Sequence, residues 1–448
     1  MKNFTQRFIE YIEQKEFVTH NDKILLTVSG GVDSMVLMHL FASQGYNVGV
    51  AHCNFQLRGE ESDEDDVLVA EQAKALGLEC FHRRFNTLEE VEQSGNSIEM
   101  VARRQRYEWF DELCGEHGYS AIAIAHHIND SIETFFINLL RGTGLRGLTG
   151  ITTHRGNIFR PLMFATRKEI LDFAVQNKIP FREDSSNRST KYLRNKVRLG
   201  LIPRIVEIKP QFTAQMRRNL ARLTQSQIFI DKSIDLIAQS VIEECDGIYT
   251  LKLNEINESF PRDFVVYQLL ATRFGFKADI VDSLLKSLES DGNGSKFYSK
   301  EFVAYTNRGE ILVTQIEDSD PCNIYIEESA HRAYCGNSAL YIERVDIDML
   351  DSLITAENVA LLDADKLKYP LTLRRWKEGD YMVPLGMHGR KMISDMLVDM
   401  KVSIPSKSRQ FVLLSGDDIV WLVGRRIDER YKITSTTENV MKITKEII

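Results

Sequence analysis

Residues 24–40 read ILLTVSGGVDSMVLMHL, two apolar runs separated by a short segment with adjacent glycines and an acid. The first run has the length and character of a short buried strand, and the second has the length of a helix. A glycine-rich turn from a strand into a helix exposes backbone N–H groups at the helix N-terminus, where phosphate groups bind. Segment 29–34 therefore predicts an anion site at a strand–helix junction.

The residues of SGGVDS differ in the roles that they suggest. Gly30 and Gly31 let an anion approach the backbone, and the hydroxyl groups of Ser29 and Ser34 can donate hydrogen bonds. A carboxylate would repel a bare phosphate, so we interpret Asp33 as the ligand of a divalent cation that bridges it to the phosphates. The alternative is a tight turn in which Asp33 is a helix N-cap.

The first 200 residues alternate between strand-like and helix-like patterns. The strand-like segments are KILLTV, NVGVAHC, LECFHRRF and YSAIAIAHH, and helical periodicity follows each of them. Such βαβ units predict an α/β fold with a parallel sheet that helices cover on both faces. Ligands of these folds bind at the carboxyl ends of the strands, which is where 29–34, His52 and 126–130 fall.

The length of 448 residues predicts more than one domain, because a single core stops growing at roughly 250–300 residues. The alternating pattern covers residues 1–212, which we interpret as a nucleotide-binding and catalytic domain. Long helical patterns dominate 213–320 and predict a helical domain. Strand-like pieces dominate 321–448, which predicts linker strands and a small C-terminal α/β domain.

Composition excludes several classes of protein. The net charge of −8 argues against a general polyanion binder, and there is no run of about 18 apolar residues that could span a membrane. The N-terminus lacks the apolar core of a signal peptide. The six cysteines show neither a C-x-x-C pair nor zinc-ligand spacing, so we expect reduced thiols and a cytoplasmic protein.

SGGVDS fits neither the Walker A pattern nor G-x-G-x-x-G. It resembles the S-G-G-x-D-S signature of the pyrophosphate-loop ATP pyrophosphatases, whose nucleotide-binding domains are of the adenine nucleotide alpha hydrolase type. Within that family the chain resembles the tRNA(Ile)-lysidine synthetases over most of residues 20–200 and more weakly over 374–410 and 421–428. The matching stretches include HCNFQLRGEES (52–62), EMVARRQRY (99–107), AHHINDSIETFFINLLRGTGLRGLTGI (125–151), RPLMFATRKEI (160–170) and REDSSNRSTKYLRNKVR (182–198).

The resemblance implies a reaction in two steps. ATP, with Mg²⁺, adenylates the C2 oxygen of the unmodified wobble cytidine in a minor isoleucine tRNA, and the ε-amine of free L-lysine then displaces AMP. It also implies that both later domains bind tRNA. Two rivals stay open: an adenylating enzyme that acts on a small molecule, in the manner of NAD or asparagine synthetases, and a non-catalytic RNA-binding protein. The oligomeric state is open as well, with a homodimer as one candidate.

The resemblance assigns roles to individual residues. Segment SGGVDS would bind ATP, with Asp33 also catalytic and the metal ligand. The other catalytic candidates are Arg103, His126 and Asp130. The full ATP-binding set is Ser29, Gly30, Gly31, Val32, Asp33 and Ser34.

The chain departs from the family pattern at three positions. The family motif H-H-x-D-D-Q reads HHINDS here, with Asn129 and Ser131, and Phe55 stands where a family histidine is expected. We therefore place the carboxylate role on Asp130, which could accept a proton from the lysine amine, whose reference pKa is about 10.4. The alternative is Asp130 as a helix N-cap, with Glu133 completing a capping box.

Other candidate residues have both a functional and a structural interpretation. Arg103 and Arg106 share a helix face with Tyr107, which suits a phosphate or a cytosine carbonyl, or else a solvated face paired with Glu99 and Glu108. His126 and His127 could donate to phosphate or RNA, or could be structural. The glycine-rich segment 141–150 predicts a mobile loop or a plain connector.

Positive charge is concentrated at 182–204, which makes this run the candidate for contact with RNA phosphates. The candidate RNA-binding residues in it are Arg188, Arg194, Asn195 and Arg198. The alternative is a solvated helix.

Overall fold

The computed structural model describes residues 3–183, 193–290, 294–316, 323–335, 338–350 and 356–447. The chain divides into two compact units, Met1–Ile230 and Asp231–Ile448. The long helix α11 (Phe212–Val241) crosses from the first unit into the second. No described helix is long and apolar enough to cross a membrane.

The first unit alternates strands and helices as the sequence predicts. Its strands are β1 (Lys23–Thr27), β2 (Asn47–Asn54), β3 (Glu79–Arg84), β4 (Ala121–Ile124), β5 (His154–Arg155) and β6 (Ile158–Phe159). Its helices before α11 are α1 (Phe4–Lys15), α2 (Val32–Ser43), α3 (Glu60–Ala75), α4 (Thr87–Ser94), α5 (Ile98–His117), α6 (Ile128–Arg141), α7 (Leu145–Leu148), α8 (Arg167–Gln176), α9 (Leu193–Lys196) and α10 (Ile202–Ile208). A π-helical turn, Val197–Leu201, joins α9 to α10.

The six strands form one sheet in the order β3-β2-β1-β4-β6-β5, with only the short β5 antiparallel to its neighbour. The chain adds β2 and β3 on one side of β1 and then returns to place β4 on the other side. Connections therefore leave β1 and β4 in opposite directions, which opens a crevice at their carboxyl ends. This arrangement confirms the predicted α/β fold with a parallel sheet.

Burial explains why the two apolar runs of the opening segment form these elements. Ile24, Leu25 and Leu26 of β1 are fully buried, as expected for a strand in the middle of a doubly covered sheet. Helix α2 buries apolar side chains on every side, including Met35 and Leu37. The polar turn between them is therefore held between two rigid buried elements. Farther along, the predicted loop 141–150 contains the single helical turn α7.

The described part of the second unit contains antiparallel sheets and four further α-helices. The helices are α12 (Arg262–Phe274), α13 (Ala278–Glu289), α14 (Ile393–Asp399) and α15 (Ile404–Ser408). The strands are β7 (Ile242–Cys245), β8 (Ile248–Leu251), β9 (Lys296–Tyr298), β10 (Phe302–Asn307), β11 (Glu310–Gln315), β12 (Ile324–Ile326), β13 (Arg332–Cys335), β14 (Ser338–Asp346), β15 (Val359–Asp363), β16 (Leu371–Arg375), β17 (Tyr381–Met382), β18 (Lys391–Met392), β19 (Phe411–Ser415), β20 (Asp418–Leu422), β21 (Arg426–Ile427) and β22 (Asn439–Ile447).

The helical region 213–320 also contains a sheet that the sequence interpretation did not include. Strands β7 to β11 pair in the order β7-β8-β11-β10-β9. Residues 303–306 and 311–314 of the β10–β11 hairpin are all buried, so they lack the polar alternation that marks a half-exposed strand. The C-terminal part forms sheets β12-β16-β19-β20-β21, β13-β14-β22-β15 and β17-β18, and it carries the two short helices α14 and α15.

Candidate active site

The SGGVDS turn lies at the carboxyl end of β1 and leads directly into α2. Gly30 has a φ of +87°, a left-handed conformation that favours glycine. Gly31 is the N-cap of α2 and forms no side-chain capping bond. Asp33 lies inside the first turn, so the alternative interpretation of Asp33 as the N-cap is wrong. The first N–H groups of α2 are left without a side-chain acceptor from the cap, which suits an incoming anion.

The two serines of the turn bond to each other and to the turn itself. Ser34 Oγ donates to the carbonyl of Gly31 at 2.9 Å and accepts from the backbone N–H of Ser29 at 3.1 Å. The hydroxyl oxygens of the two serines lie 3.2 Å apart. Ser34 is buried and shapes the turn from within, whereas Ser29 stands at its edge.

A group of paired charged residues lies next to Gly30. The backbone N–H of Arg182 donates to the carbonyl of Gly30 at 3.0 Å. The Arg182 side chain pairs with Glu64 and, at 2.9 Å, with the buried Asp65, which also accepts from Arg58 at 2.9 Å. The sequence analysis placed Arg182 in the basic run 182–204, which was the candidate for contact with RNA. In the structure, its side chain pairs with two acidic residues of α3.

The HHIND segment begins helix α6 at the carboxyl end of β4. His127 is the N-cap, and its side chain accepts from the N–H of Asp130 at 3.4 Å. In the reciprocal bond, Oδ2 of Asp130 accepts from the backbone N–H of His127 at 3.0 Å. The capping box therefore joins His127 and Asp130, and the alternative that paired Asp130 with Glu133 is wrong.

His127 connects the β4 end to the SGGVDS turn across the crevice. Its Nε2 lies 3.6 Å from Oδ1 of Asp33, which is an ion-pair distance but too long for a hydrogen bond. That Asp33 oxygen is buried and has no hydrogen-bond partner. Burial disfavours the charged imidazole, but the carboxylates of Asp33 and Asp130 outweigh it and raise the pKa of His127.

The surroundings of the partly buried Asp130 favour its ionised carboxylate. Burial acts to raise the pKa of its carboxyl, but His127, His126 and the capping N–H hold it below the usual value. Its Oδ1 also lies 3.4 Å from Nη2 of Arg198. Asp130 is therefore a fixed negative charge beside the two histidines.

Glu133 is a site residue that the sequence analysis considered only as a helix-capping partner of Asp130. It is 2% exposed, and its oxygens accept from Nε and Nη2 of Arg198 at 2.6 and 3.0 Å. Nε of Arg194 lies 3.4 Å from the same carboxylate. Its position three residues after Asp130, on the same face of a helix, was the available signal.

Arg160 is a site residue that sequence reasoning did not single out. Its Nε donates to Nδ1 of His126 at 3.1 Å, and Nη1 donates to the carbonyl of Thr152 at 2.7 Å. Burial lowers the pKa of His126 to about 4; Asp130 opposes this shift, and Arg160 adds to it. His126 is therefore neutral near pH 7.

Arg103 and Arg106 make aromatic contacts from the exposed face of α5. The Arg103 guanidinium lies 4.9 Å from the ring centre of Tyr107, and that of Arg106 lies 5.3 Å from Phe55. Neither has a carboxylate partner among the described residues; the arginine that pairs with Glu90 and Glu108 is Arg104. The alternative that paired Arg103 and Arg106 with Glu99 and Glu108 is therefore wrong.

Comparisons with known proteins match this arrangement along most of the chain. A PP-loop domain model matches residues 1–205, and models described as the TilS substrate binding domain and TilS substrate C-terminal domain match 244–316 and 371–443. A tRNA(Ile)-lysidine synthase of Bacteroides thetaiotaomicron is 36% identical over 97% of this chain and 98% of its own length. One of Parabacteroides distasonis is 33% identical over 96% and 97%. The chain belongs to the tRNA(Ile)-lysidine synthase family.

Among solved structures, the chain matches the U34-tRNA thiolase NcsA from Methanococcus maripaludis with its [4Fe-4S] cluster. It is 18% identical, with a TM-score of 0.42, over 49% of this chain and 78% of that chain. Membership in the tRNA(Ile)-lysidine synthase family confirms the predicted resemblance and the prediction of an ATP-using ligase of the PP-loop type.

Two departures from the lysidine synthase motif have structural roles in this chain. Oδ1 of Asn129 accepts from the N–H of Arg167, the first residue of α8, at 3.0 Å. Oγ of Ser131 accepts from the N–H of Ile151 at 2.9 Å. Both side chains anchor neighbouring segments, so the acid expected at position 129 is replaced by a neutral acceptor that fits a backbone donor. The third departure, Phe55, stacks on Phe85 at 5.3 Å.

The candidate RNA-binding residues divide into different environments. Arg188 lies outside the described residues. Arg194 is exposed, whereas Asn195 is buried and Arg198 is bound to Glu133. A direct contact with RNA stays a prediction for all four, and among the three described residues Arg194 has the most accessible side chain.

Proposed function

We propose that this chain makes lysidine from ATP, free L-lysine and the wobble cytidine of isoleucine tRNA, in the crevice between β1 and β4. The observation that carries the proposal is the Asp33–His127–Asp130 connection. It joins the predicted phosphate turn to the predicted lysine site, with a 3.6 Å contact on one side and a capping box on the other. The oxygen that becomes adenylated is bonded to the carbon that the lysine amine then attacks, so the phosphate turn and the lysine site must face one crevice.

The ATP phosphates would bind at the uncapped N-terminus of α2, on the backbone of Gly30 and Gly31. Mg²⁺ fits this position, because it is usually held by one or two carboxylates together with substrate phosphates. The described residues contain no cluster of three or more metal-binding side chains, but Asp33 offers a buried oxygen without a hydrogen bond. Asp33 would hold the ion, which would neutralise charge on the phosphates.

His126 and Arg103 would serve the adenylation step. A neutral imidazole at His126 can donate one hydrogen bond to a phosphate oxygen without carrying a charge. Arg103, exposed and stacked on Tyr107, can reach an RNA phosphate or the cytosine carbonyl. Both side chains would stabilise the charge that shifts among the phosphate and C2 oxygen atoms when the C2 oxygen attacks the α-phosphate.

Asp130 would serve the lysine step. Its ionised carboxylate attracts the lysine ammonium and offers a place for the proton that must leave before the amine can attack C2. The leaving group is AMP, so the two steps together consume ATP and lysine and release pyrophosphate and AMP.

The remaining parts of the chain would bind tRNA. We propose residues 1–212 as the catalytic domain, 213–320 as a tRNA-binding domain that combines helices with the sheet β7 to β11, and 321–448 as linker strands with a small C-terminal tRNA-binding domain. The matches to substrate-domain models at 244–316 and 371–443 support this division. We also propose a cytoplasmic location; a homodimer stays a prediction.

One experiment tests this function against its rivals. The protein is incubated with labelled ATP and labelled lysine, with and without unmodified isoleucine tRNA. We expect pyrophosphate release and lysine incorporation only when tRNA is present. Pyrophosphate release without tRNA would support an enzyme that adenylates a small molecule, and tRNA binding without either product would support a non-catalytic protein.

A further inference from the structure

Arg160 and His126 lie at the ends of two adjacent parallel strands. Ala123 of β4 pairs with Phe159 of β6, so His126 and Arg160 follow at the same edge of the sheet. Arg160 is 7% exposed, and its backbone N–H donates to the carbonyl of Thr153 at 3.0 Å. Together with the bond from Nη1 to Thr152, this fixes the position of the guanidinium.

The bond between these two side chains determines where the imidazole proton lies. An arginine side chain has donors only, so Nδ1 of His126 must be the acceptor of the 3.1 Å bond from Arg160 Nε. A neutral imidazole carries one proton, which therefore lies on Nε2. We propose that Arg160 is a positioning residue that fixes His126 as an Nε2–H donor to an oxygen of the ATP phosphates. This inference rests on the role of His126 in the proposed function.

The other nitrogen of His126 is available for such a bond. Among the described residues, none forms a hydrogen bond with Nε2, and this atom is not among the buried polar atoms that lack a partner. It therefore keeps access to solvent in the crevice that holds Asp130 and His127. A substrate oxygen can replace water at this position without displacing a protein group.

The charges around His126 keep the ring in the required state. Burial disfavours the imidazolium most strongly, Asp130 opposes this, and Arg160, Arg194 and His127 favour the neutral ring. The result is a pKa of about 4, so the ring is a neutral donor at physiological pH. The proton on Nε2 is then available for a hydrogen bond and is not released as an acid.

A purely structural role explains Arg160 poorly. A buried cation is costly unless it is paired, and Arg160 has no carboxylate partner among the described residues, whereas Arg103 and Arg155 add like charge. If Arg160 served stability alone, an uncharged side chain of similar length would serve as well. An arginine in this buried position is explained by its role as a fixed donor to His126, because its guanidinium has no acceptor atom.

The test compares Arg160→Met, Arg160→Lys and the control Arg155→Gln, which removes a positive charge from an exposed neighbouring side chain. The readout is tRNA-dependent pyrophosphate release. We expect Arg160→Met to lower kcat by about ten- to a hundredfold, the usual effect of losing a group that orients a histidine in metal sites. The KM for ATP should change less, Arg160→Lys should recover part of the rate, and Arg155→Gln should match the wild type.

A double variant separates action through His126 from direct action on substrate. His126→Asn keeps a polar group near the Nδ1 position and removes the Nε2 donor. In the His126→Asn background, Arg160→Met should not lower kcat any further. An additive loss of kcat in the double variant would overturn the proposal. A wild-type rate in His126→Asn would refute the proposed role of His126 itself. A slow His126→Asn beside a normal Arg160→Met would refute only the positioning role.

Nuclear magnetic resonance of ¹⁵N-histidine-labelled protein checks the proton directly, whether or not a variant is active. His126 is assigned by the signals that disappear in His126→Asn. The wild type should show a neutral ring with its proton on Nε2, and Arg160→Met should show a mixture of tautomers. A proton on Nδ1 in the wild type, or an unchanged ring in Arg160→Met, would overturn the proposal.

Discussion

Glu133 and Arg198 form a two-point ion pair that joins helix α6 to the turn Val197–Leu201. The two bonds, of 2.6 and 3.0 Å, connect residues that are 65 positions apart in the chain. Glu133 is buried and the Arg198 guanidinium is largely enclosed. An arginine that the sequence assigns to RNA therefore neutralises a buried carboxylate next to Asp130.

Removing one member of this pair should destabilise the first unit. Glu133→Gln removes the two-point partner of Arg198, which keeps the longer 3.4 Å contact with Asp130. We expect α6 to lose about 3 kcal/mol of local stability, the scale seen for broken buried pairs. Hydrogen exchange of the α6 amides measures this loss. The double variant Glu133→Gln/Arg198→Met should lose less than the sum of the single variants, because no unpaired charge remains. Additive losses would mean that the pair is not coupled.

The arginines of the basic run should differ in their effect on tRNA binding. Arg194→Ala should reduce the slope of log affinity against log salt by about 0.7, the value for one phosphate contact in single-stranded RNA. Arg198→Ala should leave the slope unchanged, since its guanidinium is bound to Glu133. Filter binding across a salt series measures both. Equal changes of slope would show that Arg198 also contacts phosphate.

Asp33→Asn should slow adenylation strongly. The variant keeps the shape of the side chain but removes the charge that would hold Mg²⁺ beside the phosphates, and a loss of about 3 kcal/mol corresponds to a rate roughly a hundredfold lower. Pyrophosphate release measures this step, and tRNA affinity should be unchanged. Asp172→Asn, an exposed acid on α8, is the control. A near-normal rate for Asp33→Asn would show that Asp33 serves only the fold.

Asp130→Asn should separate the two half-reactions. The variant keeps an oxygen for the capping bond to His127, so adenylation should continue, whereas lysine transfer should slow at least about a hundredfold through loss of the proton acceptor. Raising the pH toward 9 should restore part of the rate, because more lysine is then free amine. Quench-flow separation of adenylated and lysylated tRNA measures both steps. If adenylation fails first, Asp130 belongs to the nucleotide site.

His126 should make the first unit sensitive to acid. Its pKa is about 4 in the folded chain and about 6.5 when unfolded, so between these values the unfolded chain binds more protons and stability falls as pH decreases. The full effect is up to about 3 kcal/mol, from about 1.4 kcal/mol per pKa unit. In the His126→Asn variant, the stability of the first unit should fall less steeply as the pH decreases from 6.5 to 4.5. Hydrogen exchange of the β4 amides measures this stability. An identical slope would mean that folding does not lower the pKa of His126.

Local patterns were sufficient for the parallel sheet and for the position of the phosphate turn. SGGVDS is contiguous, and its flanking apolar runs identify the strand and the helix without any knowledge of distant residues. The same holds for the HHIND segment, which follows a strand-like run. The order of strands at the carboxyl edge also made it reasonable to expect the two segments close together.

The pairing of side chains was decided only by the tertiary structure. Glu133 meets Arg198, Arg160 meets His126 and Asp65 meets Arg182, over separations of 65, 34 and 117 residues. Which charges meet depends on the order of the strands, on the faces that α3 and α6 turn toward the crevice and on the turn at Val197–Leu201, and a spacing along the chain contains none of these distances. For that reason the sequence alone determined where chemistry is located in this protein, and packing decided which group holds each proton and each charge.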